Sequence, residues 1–99
     1  MELKIIISDE ATADLEKIVS FIAVDNPKLA RDFGYKLIAA TRPLARHPKI
    51  GRIVPEFHDV FIRELIFGSY RIPYRIKESA RRIEILRFWH AARGIPKME

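Results

Sequence analysis

Hydrophobic and polar positions follow two rhythms along this chain, and the change between them falls past the middle. Residues 2–8, ELKIIIS, place Leu3, Ile5 and Ile7 on one side of an extended chain, the period-two pattern of a strand. Asp9 and Glu10 then put carboxylates where a helix N-terminus favours them. Leu15, Ile18, Val19 and Ile22 follow at helical spacing and predict a helix over about residues 9–24, with Asp14, Glu16 and Lys17 mostly turned outward. Asn26-Pro27 supplies an N-cap and a first-turn proline. Ala30, Phe33, Leu37, Ile38, Thr41 and Leu44 continue a second helix. Pro43 lies inside that pattern, so the helix kinks there or ends in an irregular turn, and His47-Pro48 and Gly51 end it. So short a connection predicts an antiparallel helical hairpin.

Residues 48–59 read as a loop or a short irregular strand, after which the period becomes strand-like. VFIRELIF (60–67) ends at Gly68-Ser69. YRIPYRIK (70–77) alternates, with Tyr70, Ile72, Tyr74 and Ile76 on one face and Arg71, Pro73, Arg75 and Lys77 on the other. Glu78-Ser79-Ala80 closes a hairpin into RRIEILRFW (81–89), with Ile83, Ile85 and Trp89 facing the same core. The tail from residue 91 reads as loosely held. Pro73 removes a ladder donor, so a bulge is expected there, or a strand exposed on that side. The element order β-α-α-β-β-β predicts a single α+β domain over residues 1–99, a helical hairpin packed on a mostly antiparallel twisted sheet.

Composition narrows the setting. At 99 residues there is room for one core, and 48% hydrophobic residues exclude disorder by composition. The chain has no cysteine, so disulfides and thiolate metal ligands are excluded, and its short apolar start resembles neither a signal peptide nor a membrane span. A cytoplasmic protein without membrane partners is the expectation. The net charge is +5, from 18 basic and 13 acidic residues, which fits an acidic partner such as nucleic acid, a ribosome or an acidic protein, or serves solubility alone.

Three groups of residues bear on chemistry. Arg71, Arg75 and Lys77, with Arg63 and Arg87 on neighbouring strands, form either a convergent patch for phosphate or carboxylate or an ordinary solvated sheet face. Trp89-His90 with Arg93 sets an imidazole beside cations; it suits general acid–base work or a local anchoring hydrogen bond. His47, His58, Glu56 and Asp59 lack metal-ligand spacing, and the four scattered glycines make no phosphate loop, so neither metal nor cofactor is expected.

The words EATADLEKIVSFI, NPKLARDF, LARHPKIGR, VFIRELIFGSYRIPYRI and RRIEILRFWHAAR, in this order over roughly residues 3–94, resemble the RelE/ParE superfamily of toxins from bacterial type II toxin–antitoxin modules. The resemblance implies a compact toxin neutralised by a cognate antitoxin, often through an acidic segment. RelE-like members cut messenger RNA on the ribosome without metal; ParE-like members poison DNA gyrase. Leu44, Pro48, Gly51 and Arg52, with the H-A-A-R ending, look closer to the ParE branch, and Lys49 and Arg52 are the only cations where many ribosome-dependent members are lysine-rich. Pro73 departs from the family's usual aliphatic residue. On the ParE reading, Arg63, Arg71, Arg75, Arg87, Trp89, His90 and Arg93 are a surface for target or antitoxin. On the RelE reading Arg71 and Arg87 hold the scissile phosphate and His90 moves a proton. An inactive basic binding domain is the third possibility.

Overall fold

The computed structural model describes residues 2–94 and residue 96. The elements run β1 (Lys4–Ile7), α1 (Asp9–Ala23), α2 (Pro27–Thr41), β2 (Arg52–Ile53), β3 (Ile62–Phe67), β4 (Tyr70–Lys77), β5 (Arg82–Ile85) and β6 (Trp89–His90). Both helices begin on side-chain caps: Ser8 Oγ accepts from the Ala11 amide at 3.1 Å and Asn26 Oδ1 from the Leu29 amide at 3.0 Å. Helix α2 stops at Thr41 and passes into a 3-10 turn at Arg42–Ala45, the irregular end that Pro43 imposes.

The sheet order is β1-β5-β4-β3-β2, with β6 pairing the start of β4. Only β1 and β5 run parallel; the other pairings are antiparallel. This is the expected α+β architecture, a helical hairpin on one face of a mostly antiparallel sheet; β2 is a short strand within the segment read as a loop or short irregular strand, and β6 comes from the last expected strand. Ile72, Tyr74 and Ile76 of β4 and Ile83 and Ile85 of β5 meet Ala11, Leu37 and Leu44 in one core beneath the hairpin. At the β3–β4 turn Gly68 has φ +58° with open space where a Cβ would stand, so the backbone conformation alone calls for glycine.

Pro73 is neither exposed nor unpaired. It lies opposite Glu64 in a regular β3–β4 ladder, while its carbonyl accepts from the Leu86 amide at 2.8 Å on the other side. The bulge falls on the facing chain. Tyr74 pairs with Ile85 and Arg71 with Trp89, so three residues, Leu86 to Phe88, oppose only two, Ile72 and Pro73. One extra residue reverses the inside–outside parity. The single strand expected over 81–89 therefore becomes β5 and β6, and Trp89 lands beside Arg71 on the face away from the hairpin, not in the common core. The chain after β6 is tied down as far as Gly94: Ala91 N–H donates to Ser69 O, and Trp89 Nε1 to Gly94 O. The rest of the tail, apart from buried Pro96, lies outside the described residues.

Candidate functional site

Of the arginines expected on one face, Arg71, Arg63 and Arg87 occupy three separate environments, each set by a carboxylate or carbonyl that position in sequence does not reveal. Arg71 is buried on β4. Its Nε donates to Glu64 Oε1 at 2.6 Å, while Nη1 and Nη2 reach Glu56 at 3.1 and 2.8 Å. Glu64 is 1% exposed and also accepts from Arg52 at 2.7 Å, so its charge is neutralised from two sides. Hydrogen bonding to Glu56 and Glu64 raises the Arg71 pKa further, and the Arg71 bond holds Glu56 below the usual carboxylate range. The expected solvated side of β4 is therefore covered at Arg71 and Pro73, because the chain after β2 crosses it and clamps it through Glu56.

Arg63 belongs to the opposite face. It pairs with Tyr74 across the sheet, and its guanidinium donates to the carbonyls of Val60 and Gly51 at 3.0 Å. Beside it the Tyr74 hydroxyl accepts from Gly51 N–H at 3.0 Å and donates to Pro48 O at 2.6 Å, and burial pushes its pKa up. These bonds pin the connection between α2 and β3 to the sheet. Arg75 and Lys77 lie on the far face, Lys77 3.5 Å from Glu84.

Arg87 is directed to α1. Its Nε and Nη2 hold Asp14 at 2.6 and 2.8 Å, and the Phe88 amide donates to the same carboxylate at 3.1 Å. Asp14, expected to point outward, is 7% exposed: the bulge brings a guanidinium and a backbone N–H to one point, and α1 supplies the carboxylate. The bond to Asp14 raises the Arg87 pKa. Arg87 also lies 4.6 Å from the Trp89 ring centroid and Arg93 lies 4.0 Å from it, two cations against one indole.

Four of the anticipated residues, Arg87, Trp89, His90 and Arg93, are thus brought together at the C-terminal end of the sheet. His90 caps the turn at Ala91–Arg93, its Nδ1 accepting from Ala92 N–H at 3.1 Å, and its ring meets Tyr70 edge-on at 5.2 Å. A groove of about 340 Å³ opens there, lined by Lys17, Ile18 and Phe21 of α1 with Tyr70, His90 and Arg93. Lys17, Tyr70 and Asp14 were not among the expected site residues. Tyr70 could have been found, since it starts the alternating strand whose last partner is His90.

His47, His58, Glu56 and Asp59 do not converge: Glu56 serves Arg71, and Asp59 accepts from the Phe61 amide at 2.8 Å. Among the described residues no group of three or more His, Cys, Asp or Glu could hold a metal, and no helix is long and apolar enough to cross a membrane.

Comparison with known proteins adds the following. The family model for the ParE toxin of the type II toxin–antitoxin system parDE matches residues 5–95. Among solved structures, a chain of the chromosomal ParDE system from P. aeruginosa superposes with a TM-score of 0.74 at 22% identity, covering 90% of this chain and 96% of that one. A chain of the RelBE2 toxin–antitoxin complex from Mycobacterium tuberculosis superposes with a TM-score of 0.58 at 22% identity, covering 91% and 99%. These two likenesses are of fold. A search of curated proteins gives no match.

Proposed function

The chain belongs to the ParE toxin family of type II toxin–antitoxin systems, and from that premise we propose that a cognate antitoxin neutralises it and that it inhibits DNA gyrase by protein–protein contact, without catalysis of its own. One observation carries the choice of mechanism. The two arginines that a nuclease would need at the scissile phosphate are committed inside the fold, Arg71 to Glu56 and Glu64 and Arg87 to Asp14. Phosphate would have to displace carboxylates already seated on these guanidinium forks, one of them almost fully buried. The proposed contact surface is what remains at the sheet end: exposed Arg93, stacked on the largely buried Trp89 ring, and His90 beside it. Arginine is a usual anchor of protein interfaces.

A second reading rests on the groove, where Tyr70, His90, Lys17 and Arg93 line one space and, among the described residues, neither Lys17 nor Arg93 is paired with a carboxylate. Those groups suit metal-independent RNA cleavage on the ribosome, with His90 as proton carrier. Pulse-labelling within minutes of inducing the chain alone separates the two. Early failure of DNA synthesis, with double-strand breaks, is the expected result. Protein synthesis stopping first while DNA labelling continues overturns the gyrase reading, and no effect on either would leave only a binding domain.

A further inference from the structure

The sheet face away from the hairpin carries an arrangement of charge that the fold itself does not use. Residues directly opposite one another share a face. Lys4 of β1 pairs with Arg82 of β5, and Arg82 pairs with Lys77 of β4, so three cations stand side by side across three strands. One step along, the next row reads Ile6, Glu84 and Arg75. Glu84 is the sole carboxylate within these two rows. It lies 2.9 Å from Arg82 and 3.5 Å from Lys77, whereas Lys4 and Arg75 take part in no ion pair among the described residues. Four cations therefore surround one carboxylate. Like charges directly opposite across strands destabilise a sheet, so the isolated chain carries repulsion that an external anion would relieve.

We propose that this face is a docking surface for a carboxylate-rich segment of the cognate antitoxin, laid across β1, β5 and β4 on Lys4, Arg82, Lys77 and Arg75. The source of the segment rests on the toxin–antitoxin reading above; the surface itself does not. A polypeptide fits better than nucleic acid for two reasons. Neither row contains an aromatic ring, so there is nothing for bases to stack on. Glu84 also stands within the cluster, where side chains of mixed hydrogen-bonding character can avoid it while a continuous phosphate backbone would run over it. The surface is separate from the Trp89–His90 end, whose ring faces are met by Arg87, Arg93 and Tyr70.

The test uses the purified full chain and two fluorescent probes of equal charge, an unstructured Asp/Glu-rich peptide and a single-stranded oligoribonucleotide. The probes are titrated by anisotropy at about 50 and about 200 mM salt. The variant carries Lys4→Gln, Lys77→Gln and Arg82→Gln; a control carries Lys28→Gln, Arg31→Gln and Lys36→Gln, three exposed cations of α2 with the same loss of charge. The expected result is salt-sensitive peptide binding that falls at least tenfold in the sheet variant and less than threefold in the control. Arg82 and Lys77 are also the ion-pair partners of Glu84, so the sheet variant should melt somewhat below the parent while staying folded, and each variant is titrated well below its own melt. Equal losses in both variants, or unchanged binding in the sheet variant, overturn the proposal. So does tighter binding of the oligoribonucleotide that the sheet variant abolishes, which makes the face a nucleic-acid surface. A harmless chain whose peptide binding follows the expected pattern keeps the surface and removes the toxin reading; a toxic chain indifferent to the three substitutions does the reverse.

Discussion

Replacing Asp14 by alanine tests whether the α1 carboxylate is what fixes the end of the sheet. Three donor contacts are lost together, two from Arg87 and one from the Phe88 amide. Breaking a buried ion pair by removing one partner costs about 3–5 kcal/mol. The Arg87 side chain is 17% exposed and keeps the Trp89 ring beside it, so the lower end, about 3 kcal/mol, is the expected loss. Unfolding entropy of about 2.1 cal/mol/K per residue amounts to roughly 0.2 kcal/mol/K for a chain of this length, so Tm should fall by about 14 °C. Scanning calorimetry on Asp14→Ala, Arg87→Ala and the double variant gives both this loss and the coupling between the pair, expected at about 2 kcal/mol. Hydrogen exchange adds a local reading: the Phe88 amide should lose protection well before the β3–β4 amides. A Tm drop under about 5 °C, or coupling under about 0.5 kcal/mol, would refute the reasoning.

Other perturbations probe the remaining anchors. Gly51→Ala would place a Cβ 2.6 Å from the Tyr74 hydroxyl and 2.7 Å from the Glu64 carbonyl oxygen, one of them backbone, so a loss of about 3 kcal/mol or failure to fold is expected in denaturant titration. Tyr74→Phe leaves the Gly51 N–H and Pro48 carbonyl without their partner and should cost about 1–3 kcal/mol by the same assay. The Tyr74 pKa is raised from 10.0 in the fold, so the unfolded chain ionises first and wild-type stability falls as pH rises through 10; Tyr74→Phe should flatten that limb. Glu56 has the opposite sign. Its pKa is lowered from 4.5 by Arg71, so its contribution is full above 4.5 and is lost as pH falls through the lower folded value. Glu56→Gln should therefore be less stable than wild type at neutral pH, with the gap closing in acid, as followed by melting at stepped pH.

Much of the architecture is legible in the pattern of residues because local physics dictates it. Asn26-Pro27 caps a helix wherever it stands, Pro43 cannot continue one, and the alternation of Tyr70, Ile72, Tyr74 and Ile76 finds its core beneath the hairpin. The single misplaced residue of the last strand has a definite origin. Ile83, Ile85 and Trp89 keep even spacing in sequence, but parity survives only while the ladder is continuous, and no residue type between 85 and 89 announces the extra one. The cue lay on the facing strand, where Pro73 offers no N–H to the opposing chain. The candidate site was legible in kind but not in arrangement: basic residues were visible, and their owners were not. Glu64 stands next to Arg63 in a strand otherwise apolar, and Asp14 on a helix one position before the apolar stripe begins. Both are acids that look solvated until the fold closes over them, Glu64 with Arg71 of the next strand and Arg52, Asp14 with Arg87 and the Phe88 amide from the far end of the chain.

That ownership separates what the cations can do. An arginine whose fork is filled by a buried carboxylate is a structural strut, and its substitution reads as instability before it reads as altered binding. Arg71 and Arg87 are of this kind. Lys4 and Arg75, and Arg93 against its indole, have no carboxylate partner among the described residues, so their substitution should change association with anionic surfaces while leaving the melt nearly unmoved. Two basic surfaces follow, one on the far face of the sheet and one at its C-terminal end. A partner that engaged both would gain from linkage as well as from contact, since the second contact forms at the high effective concentration set by the first. Neutralising either surface alone should then weaken a partner spanning the two by less than the combined change does. An observed loss confined to one surface would mean that each meets a different molecule, with inhibition and neutralisation on separate faces of the same small domain.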